Sequence, residues 1–204
     1  MSEPVARPTV RRADAERNRD KILAAARAAF ADTTAQVSMA EISRRARVGM
    51  ATLYRNFPSR QELLEALYTD EVNAVCEAAE TVEGETPGAA LTAWLHRFFA
   101  FYNSKRHVGD ELLRQSDASK PFLHEGRGRV LAAGRPPFLA AQRSHEVRGD
   151  LTLEQVLDMI IAIAKVEGDA RYLQPILQTA LDGLRPPETV TSPATPRTGV
   201  RSAS

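Results

Sequence analysis

Between Ser38 and Arg60 the chain concentrates side chains suited to holding a polyanion. Ser38, Thr52 and Tyr54 offer hydroxyls, Asn56 an amide, and Arg55 and Arg60 permanent positive charge. Gly49, Met50, Ala51 and Thr52 stand together at the start of a short helical stretch, where small or flexible side chains let backbone approach base edges. This is the chemistry of recognition, not of bond-making. His96, His107, His124 and His145 are scattered, and none stands at ligand spacing with Cys76 or a carboxylate pair. There is no glycine-rich phosphate loop and no Ser–His–Asp arrangement. No catalytic residue, metal or cofactor is therefore expected, and the enzyme classes are set aside.

Charge supports the same reading. Residues 1–64 carry 12 Lys and Arg against 7 Asp and Glu, whereas residues 65–204 carry 15 against 19. A basic head on an acidic body suits a partner that is a polyanion. The single cysteine excludes an intramolecular disulfide and fits a reducing compartment. No apolar run approaches the roughly 20 residues of a membrane span. Residues 1–12 contain no apolar stretch of the secretory kind. The expected location is the cytoplasm, with no membrane partner.

The elements that must position these residues read as helices throughout. Residues 1–13 form a disordered basic arm with Arg7, Arg11 and Arg12. A helix over 14–32 carries Ile22, Leu23, Ala26 and Phe30 at helical spacing. Ser38 and Glu41 make a capping-box pattern for a helix from Met39 to about Arg45. Gly49 follows where a left-handed turn is cheapest, and a second short helix runs to Asn56. Pro58-Ser59 breaks it, and Ser59 with Glu62 opens a long helix to about Thr81. After a turn at 84–88 comes an amphipathic helix over 89–105. The stretch 106–137 is interrupted by Gly126, Gly128, Gly134 and Pro136-Pro137, with helix resuming over 138–145. Helices then span about 152–164 and 168–184. Residues 186–204 are rich in Pro, Ser and Thr and read as a disordered tail. The fold class is all-α with about nine helices: a three-helix head over 14–67 and a helical-bundle body over 68–185.

Two short helices joined by a tight turn are unstable alone. Packed on the 14–32 helix through Ile42, Ala46, Val48, Leu53 and Phe57, they make a helix-turn-helix whose second helix enters a major groove. Ser38, at a helix N-terminus, is a ready phosphate site. Periodicity alone also allows a helical hairpin in a bundle that binds no DNA. The run Ile22-Leu23-Ala24-Ala25-Ala26…Phe30, then Met39-Ala40-Glu41-Ile42-Ser43…Ala46, then Val48 through Arg60 with Leu63-Leu64 resembles the TetR-type DNA-binding domain. Its most specific part is Leu53-Tyr54…Phe57-Pro58…Arg60. The resemblance covers about residues 17–67. It implies a homodimeric repressor that reads a palindromic double-stranded DNA operator, with Ser38, Gly49, Met50, Thr52, Tyr54, Asn56 and Arg60 facing DNA. The chain departs from the family pattern at Thr34 and Arg47, where glycine is usual, and at Asn56, where histidine is common.

The body resembles SbtR-like C-terminal domains in patches, at Trp94-Leu95-His96-Arg97-Phe98-Phe99 and Leu181-Asp182-Gly183-Leu184-Arg185-Pro186. Trp94, Phe98, Phe101 and Tyr102 could line an apolar pocket for a small-molecule effector, and the same stripe also reads as plain core. The 153–164 helix is apolar around most of its circumference. Leu153, Leu157, Ile160 and Ile161, with Leu173, Ile176, Leu177 and Leu181 of the last helix, are expected at a two-fold interface. A body that answers to a protein partner instead of a small molecule stays open at this point.

Overall fold

The computed structural model describes residues 7–31, 37–115 and 119–187. Thr34 and the residues of the expected arm and tail at 1–6 and 188–204 lie outside them. Among the described residues there are eight helices and no strand: α1 (Arg7–Ala31), α2 (Met39–Ala46), α3 (Met50–Asn56), α4 (Arg60–Thr81), α5 (Pro87–Gln115), α6 (Ser119–Arg143), α7 (Leu153–Ala164) and α8 (Ala170–Asp182).

The head is built by α1 to α3 and the first turns of α4. Ile22, Ala26 and Phe30 of α1 pack on Ile42 and Ala46 of α2, Leu53 of α3, Phe57, and Leu63, Leu64 and Leu67 of α4. The helix begins at Arg7, so residues 7–13, expected in the arm, are helical. Pro8 does not prevent this, because a first-turn proline removes an N–H that has no intrahelical acceptor.

A second core fills the body. Val72 and Val75 of α4, Leu91, Trp94, Leu95 and Phe98 of α5, Val130 and Phe138 of α6, and the inner faces of α7 and α8 meet there. Leu67 belongs to the head core and Val72 to the body core, and Tyr68 packs against both. The two cores are also tied by Leu112 of α5, fully buried in the head core, and by Phe122 and Leu123 of α6, which pack on it.

The largest departure from the expected elements is the stretch 106–137. Glycine and proline there suggest interruptions, yet α5 continues to Gln115 and α6 runs unbroken across Gly126, Gly128, Gly134, Pro136 and Pro137. Tertiary packing explains two of the glycines. A Cβ on Gly134 would lie 2.1 Å from the Trp94 ring, and one on Gly126 would lie 2.7 Å from the Tyr68 ring. Both glycines are buried where an aromatic ring needs bare backbone. Gly128 has nothing within 4 Å of such a Cβ.

The capping boxes close to different degrees. At Thr152 and Gln155 both halves form, with Gln155 N–H donating to Thr152 Oγ1 at 3.3 Å and Thr152 N–H to Gln155 Oε1 at 2.9 Å. Ser38 Oγ accepts from the Glu41 N–H at 3.1 Å, but the Glu41 carboxylate turns to Arg44 and Arg45 instead of reaching back. Those guanidinium groups, Arg44 first, hold the Glu41 carboxyl down to about 2.

Candidate nucleic-acid interface

The turn between α2 and α3 fixes everything that α3 presents. Gly49 is not its left-handed residue, as the sequence suggests: Gly49 is extended, with φ −71° and ψ 152°, and serves as the N-cap of α3. Arg47 carries the left-handed backbone instead, with φ 54° and ψ 41°. Its N–H donates to the Arg44 carbonyl at 3.2 Å, and the Val48 N–H reaches the Ser43 carbonyl at 3.1 Å. This pair of bonds is a Schellman ending of α2. Ser43, buried on the inner face, closes the turn by donating from Oγ to the Val48 carbonyl at 2.6 Å. Ser43 was not among the expected site residues. Its signal was the polar side chain beside Ile42 on the inward stripe.

A side chain at positive φ costs roughly 1 kcal/mol that glycine avoids. Arg47→Gly is therefore expected to stabilise the fold by about 0.5–1 kcal/mol, raising the melting temperature by about 1–4 °C. Arg47→Ala keeps the strain and gives no such gain. A phosphate contact by Arg47 would show as weaker DNA binding and a shallower salt dependence in both variants. Thermal melts and a salt titration of DNA binding check the two halves.

On this frame α3 buries Leu53, with Phe57 just beyond it, and turns its other face outward. Arg19 of α1 lies over the Phe57 ring at 4.7 Å, pinning the end of α3 to α1. On the outer side Met50 is 39% and Tyr54 46% exposed, and Gly49 and Ala51 are open to solvent. Thr52 is half-buried, and its Oγ1 accepts from Arg55 Nη2 at 3.0 Å. Asn56 is half-buried and donates from Nδ2 to the Thr52 carbonyl at 2.8 Å. Ser38 is exposed at the start of α2, on the same unit.

Arg60, expected to face DNA, also makes contacts within the head. It is half-buried, its guanidinium donates to the Val37 carbonyl, and it lies over the Phe30 ring at 5.5 Å. It ties the residues entering α2 to the start of α4. On the far side of the head, Arg27 of α1 pairs with Asp70 and Glu71 of α4. The head is thus fastened to α4 by ion pairs as well as by its core.

Two comparisons decide what this unit belongs to. Residues 22–67 match the family model described as bacterial regulatory proteins, tetR family, and residues 86–186 match that of the transcriptional regulator SbtR-like C-terminal domain. The chain belongs to the TetR family of transcriptional regulators. A solved TetR transcriptional regulator of Streptomyces coelicolor is similar over 83% of this chain and 99% of its own, at 32% identity and TM-score 0.68. One from Mycobacterium vanbaalenii is similar over 85% and 98%, at 30% identity and TM-score 0.68. RolR in complex with resorcinol shares the fold at 21% identity and TM-score 0.52, over 84% and 89%. No curated protein matches the chain. A TetR-family regulator binds DNA through its helix-turn-helix, here the α2–α3 unit.

The body of this TetR-family regulator departs from expectation in two places. Trp94, expected to line a ligand pocket, is fully buried, and its Nε1–H is spent on the Val75 carbonyl at 3.1 Å. Phe98 is buried beside it with ring centroids 6.1 Å apart, so both are core residues of the body. Phe101 and Tyr102 are half-buried and lean on Phe98 at 6.2 and 6.4 Å. Likewise Leu153, Leu157, Ile160, Leu173, Leu177 and Leu181, expected at a subunit interface, are at most 4% exposed within one chain. Because α7 packs against α5, α6 and α8, most of its apolar surface is buried inside the protomer. Of the expected interface set, Ile161 and Ile176 reach the surface. Among the described residues no helix is long and apolar enough to cross a membrane.

Proposed function

We propose that this regulator is a homodimeric repressor, acting in the cytoplasm, that a small molecule releases from a palindromic operator. The observation that carries the reading is the α2–α3 unit with its inner face buried and Gly49, Met50, Ala51 and Tyr54 outward. Two such heads one helical turn of DNA apart, about 34–36 Å, read successive major grooves. Ser38, Thr52, Tyr54 and Asn56 supply hydrogen bonds to phosphates, and Arg60 adds charge from behind them. TetR-family regulators usually act as dimers. The outer surface of α7, α8 and the connection between them supports that assembly here: Ile161 and Ile176 are half-buried, and Val166 and Tyr172 are 38% and 59% exposed.

The effector is proposed to bind in the body beside Phe101 and Tyr102, whose half-buried rings extend the core stripe towards solvent. Resorcinol bound to RolR shows that this fold can hold a small ligand. Release requires the effector to prefer one head spacing over the other. The lever is α4, braced by Leu112, Phe122 and Leu123, because these carry any shift of α5 and α6 into the head core.

The test uses full-length protein on a selected duplex. Sedimentation should give two chains per duplex, and a metabolite pool freed of macromolecules should displace them. A single bound chain would overturn the dimer. Retention through every metabolite pool would favour a protein partner as the releasing signal.

A further inference from the structure

We infer that the start of α3 reads thymine methyl groups through Met50 and Ala51, so that each operator half-site carries thymine beneath these residues. The inference rests on the DNA-binding role of the head and adds to it the base chemistry recognised. In a major groove, guanine is read by paired donors at O6 and N7, adenine by an amide at N6 and N7, and thymine by apolar contact with its C5-methyl. The first turn of a recognition helix makes these contacts. Here that turn offers a thioether and a methyl group: Met50 is 39% exposed and Ala51 is open to solvent.

The side chains that could read guanine or adenine lie at the other end of α3 and are turned back on the helix. Arg55 donates from Nε to the Ala51 carbonyl at 3.2 Å and from Nη2 to Thr52 Oγ1 at 3.0 Å. The Asn56 amide donates to the Thr52 carbonyl at 2.8 Å. Gly49, exposed and without a side chain, leaves open space in front of that turn. Positive charge on the head draws the duplex in, and the apolar turn then selects for methyl groups.

The experiment selects duplexes from a randomised pool with the full-length protein and then replaces each thymine of the selected half-site by deoxyuridine, which removes only the methyl. At the contacted position affinity should fall about four-fold for one half-site and about fifteen-fold for both, as expected for one buried methyl each. Replacing a cytosine placed there by 5-methylcytosine should restore part of the loss. Met50→Ala or Ala51→Gly should shrink the deoxyuridine effect at one position to under about two-fold, with secondary structure and melting temperature checked alongside. The inference is overturned if every deoxyuridine substitution leaves wild-type affinity within two-fold, or if the effect survives in both variants. Failure to retain any duplex even at low salt would overturn the DNA-binding role itself, which is a distinct result.

Discussion

Tyr54→Ala is expected to weaken operator binding by about 100-fold while leaving the melting temperature within about 1 °C of the parent. Tyr54 is 46% exposed on the outer face of α3, so its removal leaves no cavity in the head core. A hydroxyl donating to a charged phosphate contributes about 1.5–3 kcal/mol. Two heads on one operator double that, and the lower end of the range already gives the stated factor. Tyr54→Phe separates the hydroxyl from the ring: it should retain the shape and lose most of the affinity. Fluorescence anisotropy on the selected duplex measures both. Affinity unchanged in Tyr54→Ala would remove Tyr54 from the interface.

The second large effect lies in the body. Gly134→Ala is expected to destabilise the protein by about 2 kcal/mol, lowering the melting temperature by about 4–8 °C. Helix propensity alone argues the opposite, since alanine favours a helix interior over glycine by about 1 kcal/mol. Packing wins because the new methyl would lie 2.1 Å from the Trp94 ring, which is fully buried and held by its bond to the Val75 carbonyl. Gly128→Ala, in the same helix with nothing nearby, isolates propensity and should raise stability by up to about 1 kcal/mol. Trp94→Phe in the Gly134→Ala background shortens the ring and should recover part of the loss, a coupling that a double-mutant cycle measures. Trp94 is the only tryptophan in the chain, so its emission reports the repacking directly.

These cases also show where the sequence speaks and where it is silent. The head was legible because its signals are local. Ser38 caps α2, Pro58-Ser59 ends one helix and opens the next, and Ile42, Leu53 and Phe57 fall on one side of two short helices. Arg47 was the exception within the head: turn chemistry pointed to Gly49, the family resemblance marked 47 as its usual glycine, and hydrogen bonds from Arg47 and Val48 back to α2 put the left-handed residue at 47. The body was less legible because its decisive contacts are long-range. Gly126 and Gly134 look like breaks until Tyr68 and Trp94, far away in sequence, are seen to fill the space beside them. Leu157 and Ile160 are apolar enough for a subunit interface, and only the packing of α5, α6 and α8 around α7 shows that they are consumed inside one chain. Arg60 likewise reads as a free positive charge until the Val37 carbonyl and the Phe30 ring appear beside it.

On the proposed function, the outward face of the α2–α3 unit distinguishes one DNA sequence from another. The affinity of the full-length protein for the selected duplex is therefore compared with that for a scrambled duplex of equal length and composition, across a salt series. A preference of at least about 10³-fold for the selected duplex is expected, with affinity for both falling as salt rises. Equal affinity for the two duplexes at every salt concentration would contradict it.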